Sequence, residues 1–168
     1  MDLISQDTGR LKKFIKYCNL HLKDSYNLGG SLCEYFYVKN FNLNNVNDYD
    51  IVLDIKNLNY LKSLIEISEW RYQGDLRYIG ESPGAQQVYR SKLTLIEDVY
   101  IVDWIFGHTT NLLQEVNKIQ FEGLDTKITS KDLRIKILKK IATNKNQEIS
   151  FQNKAILRLN SYLNKTIL

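Results

Sequence analysis

The stretch Val99-Tyr100-Ile101-Val102-Asp103-Trp104-Ile105-Phe106 is apolar apart from one carboxylate in its middle. Read as a strand, it places Ile101, Asp103 and Ile105 on one face. An ionised carboxylate among isoleucines is costly to bury, so whatever fold takes in this strand must supply a cation or hydrogen-bond donors beside Asp103. The run is far shorter than the ~20 residues that span a bilayer, and no membrane segment is expected.

Upstream of this strand the periodicity alternates. Leu11, Phe14, Ile15, Cys18 and Leu22 recur at helical spacing. Ser25 to Leu28 reads as a short strand running into Gly29-Gly30-Ser31, where glycine permits a tight turn and Ser31 can cap a helix through Tyr37. After an Asn-rich loop from Lys39 to Asn47, residues Asp48 to Ile55 alternate polar and apolar, as in a strand with one acidic face. Asn57 then caps a helix running to about Trp70, with Leu58, Leu61, Leu64 and Ile65 as its stripe.

Beyond Gly74 the pattern predicts strands at Arg77 to Gly80 and Gln86 to Ile96, the second paired as a hairpin with Val99 to Phe106 across Glu97-Asp98. From His108 onward it predicts helices. Thr129 with Asp132 resembles a capping box for a helix through Ile141, with Leu133, Ile137 and Ile141 buried and Arg134, Lys136, Lys139 and Lys140 mostly on a solvated face. A last helix after Ser150 buries Ala155, Ile156, Leu159 and Leu163. The order reads as α+β, with a core over 1–107 and a helical C-terminal region over 108–168.

Asp48 and Asp50 lie two apart on one strand, so they face the same way with Cα atoms roughly 6 to 7 Å apart. Their oxygens can converge on a pair of divalent ions. Two metals roughly 3.5 to 4 Å apart activate an attacking hydroxyl and neutralise the leaving pyrophosphate during in-line displacement at an α-phosphate. Asp103 is the candidate third carboxylate, because a metal would compensate its burial. Gly29, Gly30 and Ser31 let backbone amides and a helix N-terminus approach a triphosphate, with a hydroxyl donor from Ser31. Arg90 and Lys92 share a face by period two and are candidate contacts to the same phosphates, with plain surface charge as the alternative.

In this order, a Gly-Gly-Ser turn, Asp48-Tyr49-Asp50 on a strand and Asp103 on a later strand, the sequence resembles the polymerase-β-like nucleotidyltransferases over roughly residues 10 to 107. The Leu133 helix is similar to that of small members, the aminoglycoside nucleotidyltransferases and nucleotidyltransferase toxins. The resemblance implies a nucleotidyltransferase-like mixed sheet flanked by helices. It implies that Asp48 and Asp50 hold the catalytic and nucleotide-bound metals, that Asp103 completes the catalytic metal site, and that Gly30 and Ser31 contact the triphosphate. The implied cofactor is Mg²⁺, or Mn²⁺ in its place. The implied reaction moves a nucleoside monophosphate from a nucleoside triphosphate such as ATP to an acceptor hydroxyl. One departure stands out: sixteen residues separate Ser31 from Asp48, a longer gap than the family's usual one.

Charge bears on the acceptor. Residues 1–107 carry 12 basic and 14 acidic side chains and residues 108–168 carry 11 and 5, so the front is −2 and the tail +6. The tail slightly favours RNA over a small molecule or a protein as acceptor, although a solvated lysine face is the commoner reason for such a charge. Two cysteines without partner spacing read as buried thiols, and the first six residues lack a secretory pattern, which together point to a cytoplasmic protein. His21 and His108 read as surface or packing residues. The competing functional class is a non-catalytic binding or regulatory module on the same fold, such as a toxin–antitoxin partner or a viral protein acting on a host.

Overall fold

The computed structural model describes residues 3–67, 71–72, 76–81, 87–95, 98–107 and 111–163. The expected features at Trp70, Gly74, Glu97 and His108-Thr109-Thr110 lie outside these residues. The elements are α1 (Leu3–His21), β1 (Tyr26–Leu28), α2 (Gly30–Tyr37), β2 (Tyr49–Asp54), α3 (Leu58–Ile67), β3 (Arg71–Tyr72), β4 (Arg77–Gly80), β5 (Gln87–Leu95), β6 (Asp98–Gly107), α4 (Asn111–Gln114), β7 (Val116–Phe121), β8 (Leu124–Thr129), α5 (Lys131–Thr143) and α6 (Ile149–Tyr162).

All eight strands join one mixed sheet, in the order β3-β5-β6-β2-β1-β8-β7, with β4 also paired to β5. β2 lies parallel to β6 and antiparallel to β1, while β1 lies parallel to β8. The predicted β5–β6 hairpin forms with Arg90 opposite Asp103. The α+β expectation of a mixed sheet flanked by helices, with helices at the C-terminal end, is therefore observed.

Strand alternation sorts the sheet into two unlike faces. Tyr49, Ile51 and Leu53 of β2 and Tyr100, Val102, Trp104 and Phe106 of β6 are buried in the main core with Leu11, Phe14, Ile15 and Cys18 of α1. Phe14 meets the Tyr49 ring edge-on at 4.8 Å and the Tyr100 ring at 5.4 Å. The Trp104 indole donates to Ser91 Oγ at 2.8 Å, so this tryptophan is a core residue, as its apolar surroundings imply. On the opposite alternation β2 and β6 present Asp50, Val52, Asp103 and Ile105. There Val52 packs with Leu133 of α5, alongside Ile105 and Ile137. Cys18 and Cys33 are buried free thiols.

The sequence pattern predicts helices from His108 onward, but the region is not all helical. Residues 116–129 form the antiparallel β7–β8 hairpin, which extends the sheet past β1. Glu122 and Gly123 both have positive φ, 50° and 80°, the backbone of a two-residue primed turn whose twist suits a hairpin. Glu-Gly lacks the Asn-Gly or Asp-Gly signature, which is why the sequence pattern did not announce it.

The caps also shift. Gly29, not Ser31, is the N-cap of α2, and Ser31 lies buried in its first turn. Ser130, not Thr129, caps α5, its hydroxyl accepting from the Leu133 N–H at 3.3 Å, because Thr129 is occupied as the last residue of β8. On α6, Ala155 and Tyr162 are buried, whereas Ile156 and Leu163 are exposed, since the helix turns the Ala155–Tyr162 side toward Leu138 of α5.

Arg134 is the largest departure. The sequence pattern places it among the solvated cations of α5, yet only 7% of it is exposed. Its Nε and Nη2 donate to Oε1 and Oε2 of Glu34 at 2.8 and 3.2 Å, and Arg158 of α6 reaches the same carboxylate at 3.7 Å. Glu34 is fully buried. One carboxylate thus ties α2 to both C-terminal helices. Among the described residues no helix is long and apolar enough to cross a membrane.

Removing one member of a buried ion pair strands the others without compensation. Glu34→Leu is expected to lower unfolding free energy by about 3 to 5 kcal/mol, measured by urea denaturation. A loss within about 0.5 kcal/mol, the range of an ordinary surface substitution, would show that solvent already serves these charges.

Candidate active site

Three neighbouring strands deliver one row of charged side chains. The parallel register of β2 and β6 sets Asp50 beside Asp103, and the antiparallel register of β5 and β6 sets Arg90 beside Asp103. Asp48, one residue before β2, joins them from the strand's entrance. Arg90 grips Asp103 with both prongs of its guanidinium, Nε to Oδ1 and Nη2 to Oδ2, each at 2.7 Å. Nη2 also donates to Asp48 Oδ2 at 3.0 Å. This parallel fork is the strong, directional form of an arginine–carboxylate contact. The compensating cation that buried Asp103 demands is thus a residue of the chain itself.

The glycine turn closes on the same spot. Gly29 donates its N–H to the Asp50 carbonyl at 2.8 Å, fastening the turn to β2. Gly30 has φ of +52°, and a Cβ on it would lie 1.5 Å from Asp50 Oδ2. No side chain fits there, so the first turn of α2 and the Asp50 carboxylate occupy adjoining space only because residue 30 is glycine. The sixteen-residue gap between Ser31 and Asp48 does not separate the two motifs.

Asp50 is the strained member of the row. Burial, then the neighbouring Asp48 and Asp103 charges, push its carboxyl up to about 7, while Arg134 and Arg158 pull it down. Asp103 and Asp48, by comparison, both accept from the Arg90 guanidinium.

These residues line a cleft of about 360 Å³, within the range of small-molecule sites. Gly29, Gly30, Ser31, Asp48, Asp50, Arg90 and Asp103 all face it. Lys92 does not. It is exposed and lines a separate depression with Arg10, Asn44 and Ile101, so its pairing with Arg90 by strand period does not bring it to the cleft. Asp54, the last residue of β2, caps the turn that follows, accepting from the Lys56 N–H at 3.0 Å. His21 ends α1 with its ring 4.0 Å from that of Tyr17, a packing role. The opposite wall of the cleft brings in residues that the sequence reading did not select: Arg134, Ile137 and Ile141 of α5 and Phe151, Lys154 and Arg158 of α6. Glu34, behind that wall, was the available signal, as the one acidic residue in an otherwise uncharged helix.

Hard carboxylate oxygens are the donors that Mg²⁺ takes, and the crowding around Asp50 is what a cation would relieve. As the side chains stand, Asp103 and Asp48 are turned onto Arg90. Among the described residues no group of three or more His, Cys, Asp or Glu side chains is arranged to hold a metal ion. The donor set suits a hard cation, and the guanidinium of Arg90 holds two of its three members.

No protein-family model and no curated protein matches the sequence. Solved structures do match the fold. A nucleotidyltransferase-like antigenic protein of Paracoccidioides brasiliensis aligns at a TM-score of 0.56 and 14% identity, over 97% of this chain and 78% of that one. A provisionally named nucleotidyltransferase of Thermotoga maritima aligns at 0.58 and 14% identity, over 94% and 92% of the two chains. The chain has a nucleotidyltransferase-like fold.

The displaced titration of Asp50 makes stability depend on pH. An unfolded Asp50 ionises near 3.8 and the folded one near 7, so between those values the folded state holds a proton that the unfolded state has lost. In chelator-treated protein the Asp50 contribution to stability is therefore full below about pH 4, falls as pH rises to about 7 and is absent above it. Urea unfolding of the unaltered protein and Asp50→Asn across pH 4 to 8 measures it as the difference between the two, and a difference that stays flat refutes it.

Proposed function

We propose that this protein is a metal-dependent nucleotidyltransferase that transfers a nucleoside monophosphate from a nucleoside triphosphate to an acceptor hydroxyl. The observation that carries this reading is the meeting of the Gly29-Gly30 turn with the Asp48, Asp50 and Asp103 row at one cleft. The fold similarity supports the class. In the transfer, the acceptor oxygen bonds to the α-phosphorus, the bond from that phosphorus to the bridging oxygen of the β-phosphate breaks, and pyrophosphate leaves.

Mg²⁺, when bound, supplies Lewis-acid activation of the hydroxyl and charge neutralisation on the phosphates. Asp48, Asp50 and Asp103 are the side chains to hold it. Asp103, next to the reacting hydroxyl in this reading, accepts its proton directly or through water. The Gly29–Ser31 turn presents the N-terminal amides of α2 to the phosphates. The +6 C-terminal region favours RNA as the acceptor, and a protein or a small molecule remains open to the same experiment.

Arg90 supports a second reading, because its fork neutralises Asp103 and Asp48 without any metal. A non-catalytic module could keep the fold in that state. Label transfer from each α-³²P nucleoside triphosphate into a cell extract with Mg²⁺ separates the two. The expected outcome is label in RNA, protein or a small molecule that disappears with Asp50→Asn, by about 10³-fold or more for loss of a metal-binding carboxylate at a two-metal centre, an electrostatic effect of several kcal/mol. Label that persists in Asp50→Asn, or never forms with any nucleotide, favours the module.

Arg90 and a metal compete for the same oxygens in this reading. Arg90→Gln is expected to bind Mn²⁺ roughly tenfold more tightly than the unaltered protein, the equivalent of about 1.4 kcal/mol of released competition, by isothermal titration calorimetry. Equal or weaker binding would mean that the guanidinium supports the site rather than competing with the metal.

A further inference from the structure

The wall of the cleft facing the carboxylates carries more positive charge than its own partner balances. Glu34 contributes one negative charge, and Arg134 and Arg158 contribute two positive charges around it. The Arg134 side chain is 8% exposed and that of Arg158 17%, so water screens neither well. Lys154, exposed and one turn before Arg158 on α6, adds a third cation to the same cleft. Burying unbalanced charge is costly, and an anion in the cleft removes that cost.

The cleft therefore has opposite electrostatic characters on its two walls, with a carboxylate row on the sheet and a cation cluster on α5 and α6. The α2 N-terminus, at Gly29, Gly30 and Ser31, also faces it. A ligand that is a polyanion at one end and meets the carboxylates through a cation at the other satisfies both walls.

We infer that Lys154 and Arg158 of α6, backed by Arg134 and set in place by Glu34, form a subsite for the terminal phosphates of a nucleoside triphosphate. This rests on the nucleotidyltransferase reading and adds to it that the C-terminal helices take part in holding the nucleotide. Glu34 acts here as a positioning residue, since it aims the arginines and does not face the cleft itself.

Inorganic tripolyphosphate, in chelator and without nucleotide or acceptor, probes the subsite apart from the chemistry. Calorimetric titration is expected to show binding to the unaltered protein, binding at least as tight to Asp50→Asn, and roughly tenfold weaker binding to Lys154→Ala, the loss of one charge-assisted contact. Lys154 is exposed, so its variant keeps the fold, and Arg158→Gln, checked for folding by circular dichroism, is expected to weaken binding in the same direction. AMP, which lacks the terminal phosphates, is expected to bind both proteins equally. Tripolyphosphate that fails to bind, or binds Lys154→Ala and Arg158→Gln as it binds the unaltered protein, overturns the subsite. If single-stranded RNA binding falls with Lys154→Ala while tripolyphosphate binding does not, the cluster holds an acceptor strand and the proposal is wrong. Tripolyphosphate binding with no Asp50-dependent label transfer would sink the catalytic reading and leave the subsite standing.

Discussion

The Asp50 carboxylate and the backbone of Gly30 lie so close that only a hydrogen atom fits at the α-carbon between them. Much of the architecture around the cleft follows from that contact. It fixes where α2 begins relative to β2, and the Gly29 N–H bonded to the Asp50 carbonyl holds the same junction from the backbone side. β1, which precedes the turn, pairs with β2 on one edge and with β8 on the other. A carboxylate is an expensive group to place at such a junction. Its raised ionisation range is the electrostatic record of that expense.

Two arginines manage the remaining charge, by different geometries. Arg90 reaches across two strands of one sheet and takes Asp103 and Asp48 in a planar fork, which is how a strand loaded with isoleucine, valine and tryptophan tolerates an aspartate. Arg134 works between layers, joining α5 to α2 through Glu34. The two clusters lie on opposite sides of the cleft, and Asp50 responds to both. A change in the charge of either wall is therefore felt at the same carboxylate.

Local rules made Asp48, Asp50, Asp103, Gly29 and Gly30 legible in the sequence. The two-residue period of a strand decides which side chains share a face, and glycine's lack of a Cβ decides where backbone and side chain can nearly touch. Those rules do not say which strands are neighbours. The parallel register that puts Asp50 beside Asp103 comes from the tertiary fold, and a strand period of two alone would have put Lys92 with Arg90 at the cleft. The burial of Arg134 escapes the helical pattern for a related reason. A helix wedged between a sheet and a second helix buries more than one stripe, so Leu138 and Arg134 are covered although the first stripe, at Leu133 and Ile137, left them out. The β7–β8 hairpin hid behind a Glu-Gly turn and strands whose alternation is interrupted by Asn117-Lys118.

The partners of Glu34 carry a consequence for how the chain is made. Arg134 stands one hundred residues downstream of it, and β1 takes its second neighbour, β8, from the same late part of the chain. Contacts of such long sequence separation slow folding, since a large loop must close before they form. During synthesis α2 emerges with a carboxylate that has no cation to meet until α5 has left the ribosome. Over that interval Glu34 lacks the cation that offsets its burial in the finished fold. The fold is thus completed from its C-terminal end, and a nascent chain stopped near residue 107 would hold the three aspartates without the wall that faces them.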